Sequence, residues 1–341
     1  MSITFTVRQE LFSFHDPMQD GKLIDRKTEI RLDPLTGETS RIIFDPGAPF
    51  IPNDYSELAI ATSGKKCPFC SENVQTSTPK FPTDLIDGGR LIQGEAVVFP
   101  NLFPYSKHNA VVRMCDQHFV KLDEFTVPLI ANSFSAAHDY LKKVISHDPK
   151  TTYASINWNY LPPSGGSIIH PHIHVLASEL PTNYQLTASA SSEQFYQETH
   201  HSFYDALIER ERELDERFIG TTGSVNWVHA FAPKSHADFI GIMDASSLDE
   251  LNENNWNDLA ESMTNLFCYF EEIGIASFNL ALFIPVTKNP FDRVHVRVVP
   301  RLNIGALQTS DMNVFNFLHG EPLCMKVPEE TTKKVSPYFN N

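Results

Sequence analysis

The sequence has little of what membrane-spanning, secreted and nucleic-acid-binding proteins need. No apolar run approaches the roughly 20 residues that span a bilayer, and the first residues do not pair a basic segment with an apolar core as a secretion signal does. Its 27 Lys and Arg face 42 Asp and Glu, a formal net charge of −15. That charge argues against a nucleic acid or a membrane surface as the main partner. We therefore expect a cytoplasmic protein.

Cysteine is scarce, with five residues, two of which form Cys67-Pro-Phe-Cys70. In a reducing compartment this spacing indicates metal or redox chemistry more than a disulfide framework. Two thiolates at this spacing supply half of a tetrahedral zinc site, which Cys or His usually completes. Since the chain has no second C-x-x-C, histidines must complete such a site. The alternative is a buried pair of free thiols or a redox dithiol.

The apolar pattern predicts an α+β protein with two similar halves. Residues 1–66 read as extended segments and turns, and helices are predicted at 122–143, 192–218 and 251–273. Strands are predicted at 95–100, 109–114, 153–158, 170–176, 224–231, 238–243, 278–285 and 295–299. Each half thus has strands, one long helix and returning strands. This order indicates a duplication, although the sequence shows no close internal repeat.

Three histidines alternate along one predicted strand. Because alternate residues of a strand face the same way, His170, His172 and His174 share one face. Ile173 and Val175 then point to the opposite face, into a core. Three imidazoles on one face are costly in a core and useful in a site. The alternatives are a polar outer strand face and a cupin-type site in which all three bind one metal.

The loop before these histidines is Pro162-Pro-Ser-Gly-Gly-Ser167. Glycines let a backbone approach a phosphate closely, and hydroxyls donate hydrogen bonds to it. Such loops are common, so the signal gains weight only because it leads directly into the histidines.

Together these segments resemble the galactose-1-phosphate uridylyltransferase branch of the histidine-triad superfamily. The resemblance covers most of the N-terminal half and less of the C-terminal half. In chain order, the motifs that carry it are Arg31-Leu-Asp-Pro34-Leu-Thr-Gly37-Glu, Cys67-Pro-Phe-Cys70, Val98-Phe-Pro-Asn101-Leu-Phe103-Pro, and Asn159 eleven positions before His170-Pro-His172.

The resemblance implies a histidine-triad-like α+β fold, in which two related halves each pack an antiparallel sheet with a helix. Residues 1–195 would form the catalytic half with the zinc site, and residues 196–341 a degenerate half without the catalytic triplet. A homodimer is also implied.

The resemblance further implies a structural zinc ion in a closed four-ligand site. The ligands carried over are Cys67, Cys70, His118 and His170. His108 competes with His118 for the third position, and Cys115 is a softer alternative. A closed site of this kind fixes His170 and the strand that follows it and leaves no position for Lewis-acid chemistry.

The same comparison makes His172 the nucleophile toward the α-phosphorus of a nucleoside diphosphate derivative, such as a nucleotide sugar. Covalent catalysis of this kind splits one hard exchange into two easier ones. His174 is the second catalytic residue. The phosphates would meet Asn159, Ser167 and the amides of Gly165 and Gly166.

The remaining substrate-binding residues implied are those around the nucleoside. They are Phe99, Asn101 and Phe103, together with Arg31 of the first motif. For Phe99 and Phe103 the alternative is ordinary core packing.

Two departures from the family bear on the substrate. The family has Gln where this chain has His174, and an imidazole there can assist phosphate or water as the acceptor. The family has an acidic residue where this chain has Leu102, which leaves uracil and adenine both open.

Two further departures remove charge or metal ligands. Residues 43–50 replace an arginine-rich S-P-x-R-x-x-R segment, for which Arg41 can compensate. In the C-terminal half Arg297 stands where the family has the second His of an H-x-H strand, so no iron is expected. Arg293 and Arg297 are either directed at phosphate or part of a solvated strand face.

The expected function is nucleotidyl transfer from a nucleotide sugar to a sugar phosphate or phosphate, in the manner of UDP-glucose–hexose-1-phosphate uridylyltransferases and hence in galactose and other carbohydrate metabolism. The alternative is a phosphorylase or hydrolase of an ADP-sugar or dinucleoside polyphosphate. An alternative of another class is a non-catalytic, zinc-containing nucleotide-binding protein.

Overall fold

A ten-stranded antiparallel sheet runs through the protein. The structure is a computed structural model that describes residues 3–43, 53–305 and 307–340. The segment that replaces the arginine-rich motif is 43–50, and its residues 44–50 lie outside the described residues. None of the helices in the described ranges combines the length and apolar character needed to cross a membrane.

The strands and helices predicted after residue 66 occur in the predicted order, and the structure adds further short elements. The strands are β1 (Thr6–Asp16), β2 (Lys22–Leu32), β3 (Thr39–Ile43), β4 (Leu91–Gln93), β5 (Ala96–Pro100), β6 (His108–Arg113), β7 (Tyr153–Tyr160), β8 (His172–Ser178), β9 (Phe218–Thr222), β10 (Val225–His229), β11 (Phe239–Met243), β12 (Ser277–Pro285), β13 (His295–Arg301), β14 (Asn303–Ile304), β15 (Thr309–Ser310) and β16 (Leu323–Cys324). The α-helices are α1 (Ser56–Thr62), α2 (Val74–Ser77), α3 (Val127–His147), α4 (Asn183–Thr199), α5 (Phe203–Leu214), α6 (Glu253–Glu272) and α7 (Pro328–Val335).

The large sheet consists of two five-stranded units joined edge to edge. Its order is β4-β5-β6-β8-β7 followed by β12-β13-β11-β10-β9, and β7 pairs with β12. Each unit has three strands, a long helix and two returning strands. The α+β prediction, with an antiparallel sheet and a helix in each half, is confirmed. The boundary at residue 195 falls inside α4, and the division into domains stays a prediction.

The two long helices cover the same face of this sheet. Phe134 of α3 and Trp256 of α6 stack with ring centroids 6.1 Å apart. Under them lie the core-facing residues of the strands, among them Ile173 and Val175, both fully buried. His172 and His174 alternate with these residues and therefore occupy the opposite face. Helix packing on one face thus holds the histidine strand in place.

The N-terminal strands form a second, smaller sheet with the order β1-β2-β3-β16. Its β1–β2 ribbon is long, with 11 residues in each strand, and leaves Leu11, Phe12 and Leu23 more than half exposed. Helix α1 lies in the region that was predicted to be extended. The helix predicted at 192–218 is two helices, because His200 adopts a left-handed conformation that ends α4.

Candidate active site

Two thiols and two imidazoles converge beside the large sheet. Ligand atoms of Cys67, Cys70, His118 and His170 all lie within 4.8 Å of one another. Sγ of Cys70 is 3.4 Å from Nδ1 of His118 and 3.8 Å from Nδ1 of His170. Ligand bonds of zinc length in a tetrahedron place S and N about 3.6 Å apart. The cluster can therefore hold a metal ion of that size.

Both imidazoles of this cluster are oriented by a second contact. Nε2 of His170 donates to the carbonyl oxygen of Cys115 at 2.7 Å, and Nε2 of His118 lies 3.1 Å from the hydroxyl of Thr62. The carbonyl can only accept, and the Thr62 hydroxyl gives its own proton to the carbonyl of Leu58 at 2.8 Å, so both imidazoles carry their protons on Nε2. The Nδ1 lone pairs then face the thiols, as outer contacts arrange in metal sites. Burial raises the pKa of the Cys67 thiol to about 11, and a bound cation would reverse that shift.

The competing ligand candidates lie elsewhere. Nε2 of His108 bonds to the carboxylate of Asp148 at 2.8 Å. The thiol of Cys115 donates to the carbonyl of Gln117, so this residue contributes its main-chain oxygen to His170 rather than its sulfur to the cluster. The amide of Phe69 donates to Sγ of Cys67 at 3.4 Å, which shapes the loop between the two cysteines.

His172 is the first residue of β8 and is 5% exposed. Its Nδ1 lies 2.8 Å from the carbonyl oxygen of His170, which can only accept, so the proton is on Nδ1 and the lone pair is on Nε2. Burial lowers the pKa of His172 below the ordinary value, which keeps the ring neutral at pH 7. The ring is therefore held in the tautomer that an attacking Nε2 requires.

His174 lies next to His172 on the same strand face, with ring centroids 5.2 Å apart. Burial lowers its pKa to about 4, so it too is neutral at pH 7. Its Nδ1 is buried without a hydrogen-bond partner among the described residues. A buried polar atom of this kind costs stability unless something completes its hydrogen bonding, as an oxygen of a bound phosphate would.

The glycine loop packs closely on the end of β7. The amides of Gly165 and Gly166 donate to the carbonyls of Pro162 and Leu161, at 2.9 Å and 3.2 Å. These two amides, which the sequence assigned to the phosphates, thus make their bonds inside the turn. Ser167 is exposed and remains the donor that the loop presents outward.

Asn159 is tied to the second half of the protein. It lies on the same face of β7 as Asn157, which pairs with His174 across the ladder. The side-chain oxygen of Asn159 accepts from Nδ2 of Asn279 at 2.7 Å, and Oδ1 of Asn279 accepts from Arg301 at 2.9 Å. This chain of contacts orients the Asn159 amide, and no residue of the described ranges bonds to its NH₂ group, which can therefore donate to a ligand.

The three residues assigned to the nucleoside differ widely in exposure and do not form one surface. Phe99 is 2% exposed and packs against Phe69, so core packing describes it. Asn101 bonds to Asn109 and to the amide of Phe103, which shapes the turn after β5. Phe103 is 80% exposed at the tip of that turn.

Arg31 lies on β2, in the smaller sheet. Its guanidinium bonds to both carboxylate oxygens of Glu329, at 2.7 Å and 3.0 Å, and to Glu29. Among the described residues its side chain also contacts Phe231, which like Glu329 and Glu29 lies outside β7, β8 and the glycine loop. The structure does not bring Arg31 to the histidines.

Sequence reasoning missed two aromatic residues at the site. Phe69 packs edge-on against His172, with ring centroids 5.3 Å apart, and its place inside C-x-x-C was the only signal. Tyr105 is exposed and its ring lies 6.0 Å from that of His174. Phe103, two residues before it in the same turn, is exposed as well.

The sequence matches no established family profile. An uncharacterized protein of Archaeoglobus fulgidus is 32% identical over 315 residues, covering 92% of this chain and 93% of that protein. The match covers nearly all of both chains, so the similarity extends over both halves of the sheet.

Several solved structures share the fold at 18% identity. An ADP-glucose phosphorylase from Arabidopsis thaliana with bound ADP-glucose matches with a TM-score of 0.70, covering 91% of this chain and 98% of that one. A GalT-like protein from the same plant matches with a TM-score of 0.69 over 90% and 98%. A uridylyltransferase matches with a TM-score of 0.67 over 91% and 98%.

Proposed function

Because the chain belongs to one family with the Archaeoglobus fulgidus protein and has the fold of the galactose-1-phosphate uridylyltransferase-like branch, we propose that it transfers a nucleoside monophosphate through a covalent bond to His172. One observation carries the proposal. The ring of His172 is buried, neutral and fixed by its Nδ1 bond to His170, so Nε2 holds the free lone pair.

In the first step Nε2 of His172 attacks the α-phosphorus of a nucleotide sugar. A P–N bond forms, the P–O bond to the β-phosphate breaks, and the electron pair leaves with the sugar 1-phosphate. In the second step an oxygen of a phosphate or sugar phosphate attacks the same phosphorus, and the P–N electrons return to Nε2. The two steps regenerate the neutral ring and need no external proton.

Two groups would stabilise the α-phosphate. The partnerless Nδ1 of His174 can donate to one of its oxygens, and Ser167 can donate from the loop. Since the pKa of His174 is lowered to about 4, it acts as a hydrogen-bond donor at pH 7 rather than as an acid. Donors fixed before the reaction cost no reorganisation in the transition state.

The proposed metal is zinc, held by the Cys67, Cys70, His118 and His170 cluster, with no iron site. When bound, it would supply a structural clamp that fixes His170. The carbonyl oxygen of His170 is the acceptor that orients His172. Loss of the clamp would therefore loosen the nucleophile as well as the fold.

A second candidate reaction is phosphorolysis or hydrolysis of an adenylylated substrate. It is favoured by His174, where the uridylyltransferases have Gln, and by the exposed ring of Tyr105 beside His174, on which a base can stack without selection for uracil. The fold of an ADP-glucose phosphorylase matches this chain at least as well as that of a uridylyltransferase.

The test is product analysis with UDP-glucose, ADP-glucose and diadenosine tetraphosphate, each with phosphate, glucose 1-phosphate or water as the acceptor. Intact-mass measurement before the acceptor is added should show a UMP or AMP adduct on the wild type and none on His172→Asn. The exposed His201 offers a matched control, since His201→Asn should label normally. A His172→Asn variant that turns over at the wild-type rate would overturn the proposal.

A further inference from the structure

The second unit of the large sheet repeats the first around His295. His172 begins β8 and His295 begins β13, the corresponding strand. The amide of Met114 donates to the carbonyl just before His172 at 3.0 Å, and the amide of Met243 donates to the carbonyl just before His295 at 2.9 Å. His295 therefore occupies the position in its unit that His172 occupies in the other.

The two rings are also fixed in the same way. Nδ1 of His295 donates to the carbonyl of Arg293 at 3.0 Å, as Nδ1 of His172 donates to that of His170. Burial lowers the pKa of His295 to about 4. It is thus a second neutral imidazole with its proton on Nδ1.

The surroundings of His295 differ from those of His172 in ways that remove metal binding and nucleophilic attack. Arg293 and Arg297 stand at the positions of His170 and His174, so no metal ligand flanks it. Arg297 forms a buried ion pair with Asp238. Nε2 of His295 faces the hydroxyls of Tyr184 and Tyr204 at 3.3 Å and 3.4 Å. This lone pair is therefore occupied by a tyrosine hydroxyl, and Nε2 is not free to attack a phosphorus atom.

A cavity of about 190 Å³ opens above His295. Its inner end is formed by the buried Ala188 and Tyr204, and its mouth by the exposed Thr152 and Thr287. The rings of Tyr184 and Phe283 form one wall, with centroids 4.6 Å apart. Since a cavity of about 150 Å³ binds benzene, this one has room for a slightly larger ring.

The charges in the cavity are nearly balanced. Arg293 is held by the carboxylate of Asp205. Asp292, 9% exposed, accepts from Ser189 at 3.0 Å and from Asn289 at 3.1 Å. The lining therefore presents a carboxyl group and no uncommitted cation, which favours a ligand with N–H donors and disfavours a phosphate.

We propose that this cavity is a second binding site, without catalysis, for an uncharged heteroaromatic ring that carries N–H donors, the class to which nucleobases belong. The ring stacks on the Tyr184 and Phe283 wall and donates to Asp292. The site corresponds to the active site of the first unit, and His295, the counterpart of His172, lines the cavity instead of acting as a nucleophile.

The test is calorimetric titration of the full-length protein with adenosine. Ala188→Phe fills the inner end of the cavity and should remove one adenosine site per chain. Ala190→Phe is the matched control, because Ala190 is exposed on the same helix and does not line the cavity, and it should bind like the wild type. Equal adenosine stoichiometry in the two variants would overturn the proposal.

Asp292→Asn tests the site without adding bulk and decides the matter if Ala188→Phe fails to fold. It should weaken adenosine binding at this site by at least tenfold while leaving the circular dichroism spectrum unchanged. An affinity within twofold of the wild type would contradict the role of the carboxyl group. Binding is the readout throughout, so the result stands apart from whether His172 forms an adduct.

Discussion

Replacing Gly166 with alanine should damage the active site by a short, defined displacement. The Cβ would lie 2.8 Å from the carbonyl oxygen of Asn159 and 3.0 Å from that of Leu161. Ordinary contacts begin at 3.4 Å, so the main chain must shift by about 0.6 Å. Overpacking of this kind costs about 1–3 kcal/mol of unfolding free energy.

The shift falls on the loop that leads into His170 and His172. A misplacement of about 1 Å at a reacting group costs on the order of 100-fold in rate. We therefore expect Gly166→Ala to slow adduct formation on His172 by about 10- to 100-fold. Rapid-quench intact-mass measurements under single-turnover conditions give this rate, and urea unfolding gives the stability.

Alanine substitutions at two other glycines distinguish the effect of this displacement from the effect of backbone strain. Gly165 (φ +88°) and Gly21 (φ +73°) are both left-handed, and a Cβ on either meets nothing within 4 Å. Alanine at each should cost about 1–2 kcal/mol by strain alone. Gly165→Ala should slow labelling less than Gly166→Ala, and Gly21→Ala, in the distant hairpin turn, should not slow it. The reasoning fails if Gly166→Ala labels within twofold of the wild type, or if Gly21→Ala is equally slow.

Three further predictions concern the metal, acid stability and self-association. Cys70→Ser should lose zinc and label slowly, whereas His172→Asn should keep zinc and not label; metal analysis showing zinc loss in the second variant would instead indicate a metal bound by His172. Burial lowers the pKa of His229 from 6.5 to about 4, so the unfolded chain binds more protons between these values and stability should fall as the pH drops from about 6.5 to 4. Urea unfolding across that range should give a shallower pH slope for His229→Gln, and equal slopes would refute this. The exposed Phe12 of the β1–β2 ribbon, whose ring lies 5.6 Å from that of Phe14 on the same strand face, suits a homodimer contact, so Phe12→Asp should lower the sedimentation coefficient; a monomeric wild type would contradict it.

The sequence could predict that His172 and His174 lie on one face of β8, because this placement depends only on the alternation of residues along a strand. Ile173 and Val175 are fully buried on one face, and His172 and His174 lie on the other. The approach of His118 to Cys70 is not local in this sense. It was carried over from the family, and the structure brings the two residues together at 3.4 Å.

The features that were missed depend on contacts between segments far apart in the chain. No local pattern shows that Tyr105 lies beside His174, or that Glu329 bonds to Arg31 from 298 positions away. The break at His200 was missed because the charged helical pattern continues on both sides of it. The internal bonds of the Gly165 and Gly166 amides follow from a three-residue turn that composition does not specify.

The pairing of β7 with β12 limits how the two units can move relative to each other. Eight residue pairs, from Phe278 with Tyr160 to Pro285 with Tyr153, connect them in one ladder. Hinged closure of one unit over the other would have to break these main-chain bonds, so any ligand must enter through movements of side chains and loops. Cutting the chain between the units would leave each fragment with an open strand edge in the middle of a former sheet, a surface prone to aggregation. The shared ladder therefore predicts that neither unit is stable when it is expressed alone.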